Sequence, residues 1–413
     1  MTFSMQLSEE QEQARKWARD FAQKEMREAS IEGLPAHRYY DETEEFPWEI
    51  VKKAYEVGLY GMEYYEMSGQ DPTGLTTALI LEEIFGGCAG IGLAIFGSGL
   101  ALAGLASSGT GEQLVEWAPR IFGTKDDVKV GAYAVSEPGA GSDVSKIRTR
   151  VGKVDGGWVM NGEKIWITNG GIADVHIVVA TVDPKLGHRG QASFVVTSDM
   201  EGFSQTKKVK KLGIRASHTA EIAFQDVFIP EDNLLGGEDK LNAKMESARN
   251  PDKAKKSKSG ALSTFEATRP IVGIQAVGIA QAAFDESVTY ATQRETFGVP
   301  IIRHQAIAFK LADMKTEIDA SRLLCWRALN MGATQTPFTY GEGSMAKLSA
   351  GRMAVQVTDE AIQIHGGFGY SREFNVEKFH RDAKIYEIFE GTKEIQKLVI
   401  SRQIARSVGS QGA

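Results

Sequence analysis

The spacing of apolar residues changes twice along this chain, from helical to β and back to helical, and this change limits the possible folds more than any other feature. Residues 1–128 place apolar side chains every three or four positions, as amphipathic helices do. Residues 129–241 contain short runs rich in Val, Ile, Phe and Trp that are separated by turn signals, as β-strands are. Residues 242–413 return to helical spacing, including a long helix predicted from His304 to about Met331. We therefore predict three domains with these bounds, the first helical, the second β and the third helical.

No helical stretch of about ten residues separates the strand-like runs of the middle segment. Parallel strands need a long crossover connection, usually a helix, whereas antiparallel strands can follow one another through tight turns. We therefore predict an antiparallel barrel or sandwich for residues 129–241. In the first segment, residues 75–106 carry almost no charge and indicate a pair of buried helices interrupted by glycines.

Composition excludes several classes of protein. The formal net charge is −7, from 47 basic and 54 acidic residues, which argues against a nucleic-acid binder. The two cysteines, Cys88 and Cys325, are too few for a disulfide framework. No uninterrupted apolar run approaches the ~20 residues of a membrane-spanning helix, and the first residues lack the pattern of a secretory signal. We expect a soluble, cytoplasmic protein without a membrane span.

One segment, residues 242–260, fits neither periodic pattern. It carries six basic and two acidic residues and few apolar ones, so we expect an exposed, mobile loop or lid inserted at the start of the C-terminal domain. A basic loop can contact an anionic ligand such as a CoA phosphate. A charge-rich run is more often a solvated surface, however, and the solvated insertion is the favoured interpretation.

Two clusters in the β segment indicate a site for a flat or anionic ligand. The loop from Tyr133 to Asp143, with sequence YAVSEPGAGSD, follows a predicted strand and is rich in glycine, which allows a backbone to approach a ring or a phosphate closely. Trp166 and Thr168 lie two residues apart on a predicted strand and therefore on one face. An indole and a hydroxyl together suit a planar heterocycle. An ordinary turn and a core tryptophan are the alternative interpretations.

A third cluster, residues 382–392, places Glu390 between an apolar stretch and a Gly-Thr pair that can begin a helix. Desolvation raises the pKa of a carboxyl and a helix N-terminus lowers it, so Glu390 is a candidate general base, with a surface turn as the alternative. The histidines are scattered without the spacing of metal ligands, and we predict no metal site. The glycines of residues 86–92 follow a helical pattern, which favours close helix packing over a dinucleotide loop.

In combination, these motifs resemble the FAD-dependent acyl-CoA dehydrogenase family, most closely its short- and medium-chain members. The motifs YAVSEPGAGSD, WITNGG, RETFG, QIHGGFGY and FEGT occur in the family's order between about Leu7 and Ile404. The resemblance implies an N-terminal helical domain, a middle β domain and a C-terminal four-helix bundle, usually assembled as a homotetramer. It also implies FAD as cofactor, an acyl-CoA substrate and an electron-transfer flavoprotein as electron acceptor, as in fatty acid β-oxidation.

The resemblance assigns roles to individual residues. Expected contacts to FAD in the β domain are Tyr133, Val135, Ser136, Gly141, Ser142, Trp166 and Thr168. Expected contacts to the FAD of a neighbouring subunit, or to its adenosine diphosphate half, are Arg294, Thr296, Phe297, His304, Gln305, Gln363, Gly366, Gly367 and Gly369. Further cofactor contacts are Thr392 and Glu394. Expected contacts to the substrate are Ser142, Ser217, Glu266, Arg269 and Gly391.

The resemblance also implies a mechanism, in which Glu390 removes the α-proton of an acyl-CoA thioester while the β-hydrogen leaves as hydride to flavin N5. Some members carry the base on the helix of Arg269, but the matching residue here is Thr268, which cannot take that role. The floor of the acyl pocket is expected in the helices of residues 75–106, near Leu93, Phe96 and Leu100. A flavin oxidase or monooxygenase on the same fold, and a non-catalytic subunit, are the two alternatives. The glutamate of the FEGT motif argues against the first, and the intact flavin loops argue against the second.

Overall fold

The first part of the chain is almost entirely helical. The computed structural model describes residues 6–250 and 260–409, without the side chains of 260–267, 408 and 409. A two-stranded hairpin, β1 Ser30–Ile31 and β2 Leu34–Pro35, precedes the second helix. The helices are α1 Glu9–Phe21, which continues as a π-helix over Ala22–Glu28, α2 Ala36–Thr43, α3 Trp48–Glu56, α4 Met62–Gly69, α5 Leu75–Gly87, α6 Ala89–Phe96, α7 Gly99–Ser108 and α8 Gly111–Phe122.

Local sequence explains both the start of α1 and the close packing of α5. The Ser8 hydroxyl accepts a hydrogen bond from the backbone N–H of Gln11 at 3.2 Å, and the Gln11 side chain accepts one from the Ser8 N–H at 3.0 Å. This reciprocal pair is a capping box. A Cβ at Gly87 would lie 2.8 Å from the Cβ of Ala22. Gly87 is therefore a packing glycine, as its helical surroundings predicted.

The stretch Ala89–Ser108 is long and apolar enough to cross a membrane, but 56% of its most apolar window is buried inside the protein. It comprises α6 and α7, and such burial is typical of core helices. The expectation from the sequence was that no apolar run has this length. It did not identify Ala89–Ser108, because glycines and serines interrupt the strongly apolar residues there.

The middle part of the chain forms one curled sheet, which confirms the predicted β domain. Its strands are β3 Gly131–Ala134, β4 Arg150–Val154, β5 Gly157–Thr168, β6 Val175–Thr181, β7 Gln191–Thr197, β8 Phe203–Lys208 and β9 Thr219–Pro230. Their order is β3-β6-β4-β5-β9-β8, and β7, which lies off this path, pairs with β6 in an antiparallel ladder.

The expectation of purely antiparallel pairing is wrong for two pairs of strands. β3 runs parallel to β6, with Tyr133 opposite Ile177, and β4 meets β6 in parallel at Arg150. The hairpin β4–β5 lies in the connection from β3 to β6. This hairpin provides the long crossover that a parallel pair requires, so no helix is needed there.

The C-terminal part consists of long helices that pack on one another. They are α9 Gly237–Arg249, α10 Gly260–Gln293, α11 Gln305–Ala333, α12 Glu342–His365, α13 Val376–Ala383 and α14 Lys393–Gly409, with a short hairpin of β10 Glu295–Thr296 and β11 Val299–Pro300. α10 packs on both α11 and α12, and α12 packs on α14. The predicted long helix from His304 is α11.

The prediction of an exposed loop over residues 242–260 is wrong for residues 242–249, which form most of α9. Leu241, Met245 and Ala248 are buried at three- and four-residue spacing, as in an amphipathic helix. The charged residues between them hid this short apolar stripe in the averaged composition. Gly260 begins α10, so the prediction is wrong there too. Residues 251–259 lie outside the described residues.

Candidate active site

Glu390 lies in a tight turn between α13 and α14. Its backbone is left-handed, with φ of +55°, and that of Gly391 follows with φ of +94°. A non-glycine residue rarely adopts this conformation, and such strain is concentrated at functional sites. Gln396 holds the turn, because its Nε2 donates to the backbone oxygens of Glu390 at 3.0 Å and of Gly391 at 2.9 Å. The Lys347 Nζ donates to the same Gly391 oxygen at 2.7 Å.

Glu390 is partly exposed as a residue, but its carboxyl is surrounded by protein. This desolvation raises its pKa from 4.5 to about 7, although a hydrogen bond from Thr268 and the charges of Arg269 and Lys347 oppose the rise. The Thr268 hydroxyl donates to Glu390 Oε2 at 3.0 Å. A carboxyl with a pKa near neutrality can accept a proton and return it, as a general base must.

Two residues expected at the substrate are buried in the structure. Arg269 is 2% exposed, and its Nη1 donates to the Ser344 hydroxyl at 3.0 Å. A Cβ at Gly391 would lie 3.7 Å from its Nη2, so Arg269 lies against the turn of the base. Ser217 is fully buried, and its hydroxyl has no hydrogen-bond partner among the described residues. The side chain of Glu266 lies outside the described residues.

The glycine-rich loop after β3 is open to solvent. Gly139, Gly141 and Ser142 are exposed, and a Cβ at either glycine would meet no atom within 4 Å. The side chains of Tyr133 and Val135 are buried in the core. The loop therefore offers a ligand an open backbone surface rather than these two side chains.

A buried ion pair connects this loop to β5. Lys164 on β5 is fully buried, and its Nζ donates to the Val135 oxygen at 2.9 Å and to a Glu137 carboxylate oxygen at 2.8 Å. The backbone N–H of Ile165 donates to the Ser136 oxygen at 2.9 Å. Burial lowers the pKa of Lys164 to about 8, although the Glu137 charge opposes this. The loop is thus fastened to β5 through three consecutive residues.

Trp166 lies at a bulge of β5 and presents its indole to solvent. The pairing with β9 shifts by one residue between Lys164 and Ile167, and Trp166 has a φ of +61°. The bulge means that strict alternation does not extend across it. The indole is 62% exposed, which excludes the interpretation of Trp166 as a core residue. Thr168, two residues on, contacts α6 at its end, since a Cβ at Gly97 would lie 3.1 Å from Thr168 Cγ2.

The second group of predicted cofactor contacts converges on a different part of the fold. A cavity of about 690 Å³ lies between the start of α11 and the end of α12. Its lining includes Arg294, Thr296, His304, Gly366 and Gly367. The Thr296 hydroxyl and His304 Nε2 are hydrogen-bonded at 3.0 Å, and a Cβ at either glycine would meet no atom within 4 Å. The cavity thus combines open backbone with an arginine.

The remaining predicted contacts lie outside this cavity. Gln305, Gln363 and Glu394 are exposed, and Phe297 is 98% exposed. Thr392 caps α14, because its hydroxyl accepts the backbone N–H of Ile395 at 3.4 Å. Gly369 has a packing role, since a Cβ there would lie 2.5 Å from the Ile362 oxygen.

Sequence reasoning missed Lys347, Gln396 and Lys164. Lys347 stands in the run GSMAKLSAG, where its neighbours are small or apolar. A single lysine in such a run of helix indicates burial, and burial of a charge indicates a partner. Gln396 and Lys164 have no comparable signal, because each has polar and charged neighbours in the sequence.

These residues suit a large cofactor that has a flat ring and phosphates. An exposed indole beside an open glycine loop accommodates a ring, and the cavity with Arg294 accommodates an anionic group. A separate carboxyl with a raised pKa is a candidate base. Fold and site together are typical of the enzymes that bind a flavin-type cofactor.

Comparison with known proteins gives the family. The chain matches the N-terminal domain of the acyl-CoA dehydrogenases over residues 8–124, the middle domain over 132–227 and the C-terminal domain over 259–405. The short-chain specific acyl-CoA dehydrogenase of Bos taurus mitochondria is 40% identical over 98% of this chain and 93% of its own length. The corresponding Homo sapiens protein is 38% identical, with the same coverage.

Solved structures agree with this result. Butyryl-CoA dehydrogenase from Megasphaera elsdenii has a TM-score of 0.84 and 35% identity, covering 98% of this chain and 100% of that one. A chain from a study of the electron transferring flavoprotein of Acidaminococcus fermentans has the same TM-score and coverage at 32% identity. The chain therefore belongs to the acyl-CoA dehydrogenase family. It is an FAD-dependent acyl-CoA dehydrogenase with the family's fold.

Proposed function

We propose that Glu390 is the base of this dehydrogenase and that the substrate carries a short, butyryl-like acyl group. The observation that carries the first part is the Glu390 carboxyl, whose pKa burial raises to about 7. Support for the second part comes from the relatives, which are named as short-chain and butyryl-CoA enzymes. Leu93, Phe96 and Leu100 near the α6–α7 corner are proposed to contact the acyl group.

In this proposal Glu390 removes the α-proton of the thioester. The Thr268 hydroxyl orients the carboxylate through its hydrogen bond to Oε2. FAD, when bound, supplies the acceptor for the hydride that leaves the β-carbon. The backbone N–H of Glu390 is proposed to polarise the thioester oxygen, a type of interaction that commonly lowers a barrier by about 3–4 kcal/mol.

The FAD is proposed to be shared between two subunits of a homotetramer. The β-domain contacts, with Trp166 and the loop at Gly141, are proposed to hold the ring end. The cavity with Arg294 and His304 lies elsewhere in the fold and is proposed to hold the adenosine diphosphate half of a neighbour's cofactor. Gln305 and Gln363 are proposed to complete that contact. Thr392, just after the base, is proposed to contact the flavin, and Glu394 is kept as a further proposed cofactor contact.

An electron-transfer flavoprotein is the proposed electron acceptor, because a similar chain occurs in a study of such a protein. We also propose that the protein acts in fatty acid β-oxidation and is cytoplasmic. The mammalian relatives are named as mitochondrial. We keep three residues as proposed substrate residues: Ser217, Glu266 and Arg269. We propose that Arg269 affects the reaction indirectly, through its contact with the turn of Glu390.

Anaerobic titration tests the assignment of the base. The wild-type holoenzyme is expected to lose its yellow colour on addition of butyryl-CoA, whereas Glu390→Gln should bind FAD and stay yellow. Glu116→Gln is a matched control, because Glu116 is exposed on α8. It should bleach like the wild type. Rapid bleaching of the Glu390→Gln enzyme would contradict the proposal, and a panel of longer and branched thioesters would test the chain length.

A further inference from the structure

Lys347 is a buried cation that contacts the turn formed by Glu390 and Gly391. It is 1% exposed in the interior of the helical bundle. A buried ammonium is costly unless it is hydrogen-bonded and paired with an opposite charge. Its hydrogen bond goes to the backbone oxygen of Gly391, directly after the base. The cost of burying this ammonium is explained if Lys347 is needed to hold the turn of Glu390 and Gly391.

The charges that act on Lys347 come from three elements. They are Glu390 and Glu387 in the segment before α14, Glu394 in the first turn of α14, and Arg269 on α10. Glu387 is already paired with Lys384 and Lys393, and Glu394 is exposed. Glu390 is therefore the buried carboxyl to which the Lys347 charge is directed.

Gln396 acts on the same turn without a charge. It is fully buried, and its amide donates to the backbone oxygens of both Glu390 and Gly391. Because Lys347 lies on α12 and Gln396 on α14, two separate helices fix the peptide that joins the base to its neighbour. A strained, left-handed residue persists only when its surroundings determine its conformation in this way.

We propose that Lys347 and Gln396 are positioning residues for the base, with Gln396 fixing the turn and the Lys347 ammonium stabilising the ionised form of Glu390. This inference rests on the proposed function of Glu390. Removal of the lysine charge leaves Arg269 as the cation beside the carboxyl. The carboxylate then becomes harder to form, so the base works only at higher pH.

The test is the pH profile of kcat for butyryl-CoA with FAD-loaded enzyme. In Lys347→Met the acidic limb should move upward by about one pH unit, with an approximately fivefold loss of kcat at about pH 7 that is regained at higher pH. Lys347→Gln keeps a hydrogen-bond donor and removes the charge, so it should show the same displacement. Lys347→Arg keeps the charge and should leave the limb near its wild-type position.

Gln396→Leu separates geometry from charge. It should lower kcat at every pH without moving the limb. Lys397→Met is the matched control, because Lys397 is exposed one residue away on α14, and its profile should equal that of the wild type. Absorbance and thermal unfolding check that each variant binds FAD and folds, and Lys347→Gln carries the test if Lys347→Met does not fold.

An unmoved acidic limb in a folded Lys347→Gln or Lys347→Met enzyme would overturn the inference, as would a displaced limb in Lys397→Met. The Glu390→Gln variant distinguishes this failure from failure of the proposed function. If Glu390→Gln is inactive and the lysine variants are unshifted, only the positioning role is wrong. If Glu390→Gln is active, the assignment of the base itself is wrong.

Discussion

Glu390 combines two features that oppose folding, a left-handed backbone and a carboxyl that is hard to ionise. Strain of this kind costs on the order of 1–3 kcal/mol. Ionisation of the buried carboxyl adds a further cost at neutral pH. A site that persists against both costs is expected to serve function rather than stability.

The pH dependence of stability follows from the raised pKa of Glu390. Because the folded-state pKa of about 7 exceeds the ordinary 4.5, the folded protein holds a proton that the unfolded chain has lost, and stability falls as pH rises between these values. We expect Glu390→Gln to stabilise the protein by about 1–3 kcal/mol at about pH 8, and by less at about pH 5. Urea unfolding at the two pH values measures this. An equal effect at both would contradict the raised pKa.

Lys164 gives a second prediction at the scale of single residues. Lys164→Met removes the donor to the Val135 oxygen and leaves Glu137 without its cation, so the loop after β3 should lose its fixed position. We expect FAD to bind about tenfold more weakly, measured by the fluorescence of released FAD, since one or two charge-assisted hydrogen bonds are lost.

Lys146→Met is the control for this variant. Lys146 is exposed after the same loop, and its replacement should leave FAD binding unchanged. Equal FAD affinity of Lys164→Met and wild type would show that the loop does not depend on the buried pair.

At the scale of elements, α9 shows how charge can hide a helix. Met245 is 5% exposed on its buried stripe, and truncation of a buried methionine usually costs about 2–5 kcal/mol. We expect Met245→Ala to destabilise the protein toward the lower end of that range, in chemical unfolding. Glu246→Ala, on the exposed side of the same helix, should have little effect. A stability unchanged by Met245→Ala would mean that α9 contributes no packing.

Much of the architecture follows from periodicity, because a long helix such as α11 repeats its apolar spacing many times. The capping box at Ser8 is equally local. The helical pattern around Gly87 predicts a packing role, although not its neighbour, Ala22. The bulge at Trp166 and the parallel pairing of β3 with β6 could not be predicted, since both depend on which strands meet in three dimensions. The same reason applies to Lys347, whose partner is the Gly391 oxygen 44 residues away. Gln396 lies near its partners in the chain, but these are backbone oxygens, which no side-chain pattern marks.

At the scale of the whole molecule, α13 joins the three parts of the chain. Asp382 accepts hydrogen bonds from the backbone N–H of Ile214 in the middle part and from Lys378, both at 2.6 Å. Arg381 pairs with Asp41 of the N-terminal helices at 2.8 Å. Only the 3-10 helix Lys384–Glu387 and two further residues separate α13 from Glu390, so we expect these contacts to help position the base relative to the sheet.

Removal of Asp382 should therefore affect the whole protein. Asp382→Ala leaves Lys378 buried without its carboxylate, and such a change typically costs about 3–5 kcal/mol. The double variant Asp382→Leu with Lys378→Met removes both charges and is expected to be less destabilised than Asp382→Ala. Thermal unfolding of the two variants compares them. Greater destabilisation of the double variant would show that the pair itself, rather than an unpaired charge, provides the stability.

The central claim is that Glu390 removes the α-proton of an acyl-CoA, and hydrogen exchange tests it most directly. Anaerobic incubation of butyryl-CoA with the enzyme in D₂O, followed by mass spectrometry, reports exchange at the α-carbon. We predict rapid exchange with wild type and with Glu116→Gln, and loss of exchange by at least about a hundredfold with FAD-loaded Glu390→Gln. Exchange at the wild-type rate in Glu390→Gln would contradict the account.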